Sequence, residues 1–192
     1  MDMDKNYSAL FEPMKIGKLE IKNRLVVPAM DSHYTDENHQ FTNQALNYYG
    51  ERALGGFGLI TTEFLCVSEE GLAEKTQAGI YDDCFIPMLT KLTQRVHENG
   101  SYIFAQLQHS GRLQGKGTTK LPAVGASNIP DVSKPNTIHE LTTEEISVII
   151  DKFVASALRA KKAGFDGVEI HGAHGYLLAQ FLSKDKLLNV NK

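Results

Sequence analysis

The chain has no tryptophan, only two cysteines and six prolines among 192 residues, and no apolar run near the roughly eighteen residues that cross a bilayer. Cys66 and Cys84 lack Cys-x-x-Cys spacing, so a disulfide framework, an iron–sulfur cluster and a zinc site are not indicated, and buried free thiols are expected. Nor is there an excess of charge of one sign: 20 basic against 23 acidic side chains give −3, with the lysines scattered. That excludes the basic footprint of a nucleic-acid partner. The N-terminus, Met-Asp-Met-Asp-Lys-Asn, lacks the basic-then-apolar order of a signal peptide, so no membrane partner and a cytoplasmic location are expected.

What is present is an alternation of short apolar runs with amphipathic ones. The 192 residues read as one domain with a disordered tail over 1–9, a hairpin over 10–23 around Gly17-Lys18, a body over 24–183 and a divergent tail over 184–192. Apolar runs predict strands at 24–30, ended by Pro28, and at 58–64, 101–108 and 167–171. Between them, helical spacing predicts a helix from Thr42 to Leu54 and one carrying Phe85, Leu89, Leu92 and Val96. A third helix opens on the capping box Thr142-Thr143-Glu144-Glu145, with Ile146, Ile149, Ile150, Phe153, Ala157 and Leu158 as one wide apolar face. A fourth helix runs from Tyr176 to about Leu182, and the Gly/Pro/Ser/Thr-rich stretch 110–141 reads as a functional loop.

Strands alternating with helices imply a parallel sheet, which leaves an open doubly wound sheet or a (β/α)₈ barrel. A dinucleotide-binding turn would put Gly-x-Gly-x-x-Gly after the first strand, where Pro28-Ala29-Met30-Asp31 stands instead. The expected fold is therefore α/β, the N-terminal half of a TIM (β/α)₈ barrel: about four βα units preceded by a short hairpin. Polar residues Asp31, Glu63, Gln106 and His171 fall at or near the carboxyl ends of strands, where such barrels keep their active groups.

Gln106 offers an amide that donates and accepts at once, suited to a flat heterocycle; a polar plug satisfied by backbone is the alternative. His171 and His174 can aim two imidazole donors at one oxygen and stabilise enolate-like charge, and Tyr176 can deliver a proton as general acid. Against this stand a structural His-x-x-His and a metal site, which no third histidine or nearby carboxylate completes; no metal is expected. The segment from Gly111 to Gly117 misses the phosphate-loop pattern in spacing and in its last residue. Asp31, Asp36, Glu37, Glu69 and Glu70 read as solvated loop charges.

Three segments carry a family resemblance: Leu10-Phe-Glu-Pro through Lys22-Asn-Arg-Leu-Val-Val-Pro-Ala-Met30, Ala105-Gln-Leu-Gln-His-Ser-Gly-Arg112, and Gly164 through Ser183 with its Val-Glu-Ile-His-Gly-Ala-His-Gly-Tyr. In order and spacing the chain resembles the Old Yellow Enzyme family of FMN-dependent ene-reductase barrels, in particular the NADH:flavin oxidoreductase and 2,4-dienoyl-CoA reductase-like branch. The resemblance implies FMN as cofactor, NADH or NADPH as reductant, and hydride transfer to the alkene of an α,β-unsaturated carbonyl substrate. It places Pro28, Ala29, Met30, Glu63, Gln106 and His171 at the flavin, His171 and His174 on the substrate carbonyl, and Tyr176 as proton donor.

Two residues depart from the family pattern: Asp31 stands where relatives often have Thr or Cys, and Phe64 replaces a small residue. The pattern also breaks after Ser183, and the loops after the seventh and eighth strands that grip the FMN phosphate in such barrels have no counterpart. The expectation is an N-terminal fragment that needs a partner, either a homo-oligomer or a complementing second half barrel. A non-catalytic flavin-binding or assembly fragment is the alternative function, and a metal-dependent barrel hydrolase a third.

Overall fold

The computed structural model describes residues 5–184; the expected tail over 184–192 lies outside these except for Lys184. Lys5–Phe11 forms a 3₁₀ helix where a disordered tail was expected. The Leu10 carbonyl at its end accepts from the Arg24 amide, 2.9 Å away, and ties the segment to the body. The hairpin follows as expected, with β1 (Met14–Ile16) antiparallel to β2 (Leu19–Ile21), and its Ile21 is fully buried.

Strand β3 is only Val26–Val27, because Pro28 has no N–H with which to continue the ladder. Then come α1 (Asn43–Leu54), β4 (Leu59–Cys66), α2 (Ile86–His97) and β5 (Tyr102–Gln108). Asp82 caps the turn into α2 by accepting from the Cys84 amide at 2.8 Å. Cys84 is thereby left exposed, contrary to expectation, whereas Cys66 is buried.

The expected long loop contains two short strands, β6 (Ala123–Gly125) and β7 (Ile138–Glu140), paired in parallel. Next is α3 (Thr143–Lys162), opened by the predicted box: Thr142 Oγ accepts from the Glu145 amide while the Glu145 carboxylate accepts from the Thr142 amide. The chain ends in β8 (Gly167–Ile170) and α4 (Leu177–Leu182).

The main sheet runs β3-β4-β5-β8, every pair parallel and every neighbour consecutive among these four strands. A doubly wound sheet would reverse its strand order at a switch point, and this one does not. On one side, Ile60, Leu65, Ile103, Ala105 and Leu107 meet Tyr49, Leu92, Val96 and Ala160 from the helices to form the core.

The register stacks the opposite side in layers, Thr61-Phe104-Gly167 and then Phe64-Gln106-Glu169. A β-carbon on Gly167 would sit 2.7 Å from the Phe104 ring, so only glycine fits beside it. Between the layers β4 bulges, and the Glu63 amide donates to the Tyr49 hydroxyl of α1 at 2.9 Å instead of to a strand. The bulge turns Phe64 inward.

The wide apolar face expected on α3 divides in two. Ile149, Ser156 and Ala160 are buried, while Ile150, Val154 and Leu158, at spacings of four, are exposed.

Candidate active site

At the carboxyl ends of the strands lies a cavity of about 400 Å³ lined by Ala29, Asp31, Phe64, Gln106, His171 and His174, with Glu169 and the 170–173 backbone region completing it. That falls within the range of about 300–1,000 Å³ usual for small-molecule sites. β5 supplies Gln106, β8 supplies Glu169, and the turn after β8 supplies both histidines.

Gln106 donates one amide hydrogen to Glu169 at 2.6 Å, which leaves its carbonyl and a second N–H for a ligand. Of the Pro28-Ala29-Met30 trio, Ala29 alone lines the cavity, and Met30 is exposed. Glu63 is elsewhere. It is buried and does not line this cavity; its carboxylate accepts from the Ser32 amide at 2.9 Å and from the Ser32 hydroxyl, which anchors the loop after β3. Burial raises its pKa above the ordinary carboxylate value despite those bonds.

The histidines are wired in series rather than aimed in parallel at one point. The Ala173 amide donates to His171 Nδ1 at 3.2 Å, so the proton of a neutral ring sits on Nε2. That nitrogen lies 3.2 Å from His174 Nδ1, which receives the hydrogen and fixes the second ring's proton on its outer Nε2. Burial first, and the neighbouring His174 second, lower the His171 pKa, holding it neutral near pH 7.

Tyr176 stacks its ring edge on His171, with centroids 5.0 Å apart, and lies 5.8 Å from Phe64. Burial, then the charges of Glu74 and Asp31, raise its pKa, so its hydroxyl keeps the proton. The structure thus brings Gln106, His171, His174 and Tyr176 together, as the sequence implied.

Three features were not foreseen. First, Gln180 of α4 is fully buried and ties the histidine turn to the loop after β5. Its Nε2 donates to Gly175 O at 2.8 Å and Ser110 O at 3.1 Å, and its Oε1 accepts from the Arg112 amide at 3.3 Å. That turn holds left-handed backbone at His174 (φ 55) and Gly175 (φ 72), a shape that glycine adopts freely and histidine more readily than most other residues. A glutamine on the apolar face set by Leu177 and Phe181 was the available signal.

Second, Glu70 is not a solvated loop charge: it pairs with Lys152 and accepts from Ser68. Burial pushes its carboxyl up, but the nearby His109 ring and the bonds from Lys152 and Ser68 outweigh this and hold it well below the carboxylate range. Third, Asp31 and Glu74 flank His33, with Oδ2 3.7 Å from Nε2 and Oε2 3.4 Å from Nδ1. Among the described residues this is a grouping compact enough for a metal, but its two ring nitrogens address different carboxylates, and Nδ1 lies nearer to Thr76 Oγ1, at 2.8 Å, than to Glu74. No helix among the described residues is long and apolar enough to cross a membrane.

The lining fits a flavin ring. It offers a small floor at Ala29, an amide that donates and accepts at Gln106, and an outer imidazole donor at His174. Among the described residues no lysine or arginine lines the cavity to meet a phosphate, and two carboxylates, Asp31 and Glu169, do line it.

Residues 9–187 match the family model described as the NADH:flavin oxidoreductase / NADH oxidase family. The NADH oxidase of Thermoanaerobacter brockii is 39% identical over 189 residues, covering 97% of this chain and 29% of that protein. A metal reductase of Desulforamulus reducens is 43% identical over 176 residues, 92% of this chain and 26% of that protein. Among solved structures, the Old Yellow Enzyme from Pichia sp. AKU4542 superposes with a TM-score of 0.89 at 33% identity, over 96% of this chain and 51% of that one. The chain spans less than a third of these curated relatives and about half of the solved barrel, so its four βα units are half of a TIM barrel.

Proposed function

Because the chain belongs to the NADH:flavin oxidoreductase / NADH oxidase family, we propose that its cavity serves flavin-linked reduction of an α,β-unsaturated carbonyl compound, with NADH or NADPH as reductant. Bound FMN would supply the redox chemistry, taking electrons from the nicotinamide and giving hydride to the alkene. Gln106 would hold the pyrimidine edge of the ring with its free carbonyl and N–H, and Ala29 would leave room for the ring face.

The observation that carries this reading is the histidine series. Its outer Nε2–H is a donor, backed by the His171 ring that burial keeps neutral, at a cavity that excludes part of the solvent. Such a donor stabilises the negative charge that develops on a carbonyl oxygen when the β-carbon is reduced. Tyr176, held protonated beside His171, would then supply the proton to the α-carbon. In flavin-loaded protein, a phenol whose oxygen mimics the substrate carbonyl should produce a long-wavelength absorbance band. His171→Ala with His174→Ala should abolish the band while flavin remains bound; an unchanged band in the double variant refutes these roles.

A second reading, a non-catalytic flavin-binding or assembly part, is favoured by the two carboxylates, Asp31 and Glu169, facing the cavity. Negative charge there disfavours the reduced, anionic flavin. Anaerobic bleaching of bound flavin by NADH or NADPH decides between the two.

A further inference from the structure

We propose that Asp31 and His33, in the loop after β3, and Glu74, in the loop after β4, form a binding site for one zinc ion at the wall of the cavity. One ring nitrogen of His33 and one oxygen from each carboxylate all lie within 4.8 Å of one another. An imidazole and two carboxylates, with water in the remaining position, make a donor set that zinc accepts.

The distances favour an ion over a direct contact. Asp31 Oδ2 stands 3.7 Å from His33 Nε2, beyond the roughly 3.2 Å reach of a hydrogen bond. It is a span that two metal bonds of about 2.0–2.2 Å, meeting at an open angle, would fill. The other ring nitrogen is already engaged: Nδ1 lies 2.8 Å from Thr76 Oγ1 and 3.4 Å from Glu74 Oε2. An ionised Glu74 can only accept, so the proton of a neutral His33 ring belongs on Nδ1, and Nε2 turns its lone pair toward Asp31. Metal-binding imidazoles are held in this way, by a bond at one nitrogen that presents the other. The Glu74 side chain is 43% exposed and can turn its carboxylate to the same ion, directly or through a water.

A second observation lies behind the loop. Ser32, between the two ligands, donates its amide and hydroxyl to Glu63 Oε2, so that carboxylate faces the 31–33 segment. Glu63 is 1% exposed, and its Oε1 finds no partner among the described residues. Three carboxylates thus meet one short segment, and among the described residues none of them pairs with a lysine or arginine. A buried carboxylate without a countercharge is unfavourable, and a divalent ion at Asp31 supplies that charge.

Asp31 also lines the cavity. An ion bound to it would offset the negative charge there and ease formation of the anionic, reduced flavin. That consequence rests on the flavin reading; the ion site itself does not.

The test titrates the whole, flavin-free chain with Zn²⁺ by calorimetry. One ion per chain is expected, with affinity lowered at least tenfold by Asp31→Asn, His33→Ala and Glu74→Gln, and unchanged by Glu37→Gln, an exposed carboxylate of the same loop. A second readout needs no variant: in nitrogen NMR of the imidazole rings, one of the seven histidines should shift on zinc saturation. Circular dichroism checks that each variant is folded. Binding weaker than about 1 mM, no shifted imidazole, or equal weakening by Glu37→Gln would overturn the proposal. No flavin is present in the assay, so its failure leaves the proposed chemistry untouched.

Discussion

Replacing Gln180 with methionine keeps the volume of the side chain and removes its hydrogen bonds. Two carbonyls, Ser110 O and Gly175 O, and one amide, Arg112 N–H, then lose the partner they have at 3.1, 2.8 and 3.3 Å. Ser110 O keeps its bond from the Leu113 amide at 3.1 Å, so two groups are left unmatched, and at about 1–1.5 kcal/mol for each the loss is about 2–3 kcal/mol. Against a total stability of about 5–15 kcal/mol the protein still folds, but with a large part of its margin gone. For a urea slope of about 2 kcal/mol/M the midpoint should fall by about 1–1.5 M.

Gln180→Glu should do at least as much harm. It keeps the acceptor for Arg112 but turns lone pairs toward both carbonyls in a buried site. With no tryptophan in the chain, far-ultraviolet circular dichroism is the suitable probe of unfolding. A midpoint shift of less than about 0.3 M in Gln180→Met would show that the strap between the histidine turn and the 110–112 loop contributes little, and the reasoning would fail.

Thr142→Ala removes the reciprocal cap of α3 and should cost about 1 kcal/mol, read as a lower urea midpoint with an unchanged slope. Stability should also fall on acidification below about pH 6.5, the ordinary histidine value. Burial lowers the folded pKa of both His109 and His171, so the unfolded chain binds more protons in this window and stability rises with pH through it. Urea midpoints at pH 5 and 7.5 measure this difference, and His109→Gln should reduce it; an unchanged difference in that variant contradicts the assignment.

The helices and strands were legible because periodicity reports which side of an element is covered, and this fold covers most of them. The α3 pattern shows where that logic stops: Ile150, Val154 and Leu158 are as apolar as Ile149, yet periodicity cannot say that they are exposed where Ile149 is buried. The pairing of β6 with β7 joins segments separated by a dozen residues of loop, and no local pattern encodes a non-local parallel pair.

At the site, residue types and order marked Gln106, His171, His174 and Tyr176. The series wiring of the histidines depends on one backbone amide occupying His171 Nδ1, a detail of turn geometry. The position of Glu63 depends on a strand bulge, joined to Tyr49 of a different element, that turns Phe64 rather than Glu63 toward the cavity.

The central claim is that this half barrel carries the ring side of a flavin site without its phosphate grip. Parallel fluorescence titrations of the chain with FMN and with riboflavin, which lacks the phosphate, test it most directly. Equal affinities, both weakened by Gln106→Ala, are predicted; FMN binding tenfold or more tighter, a difference of about 1.4 kcal/mol, would contradict the account.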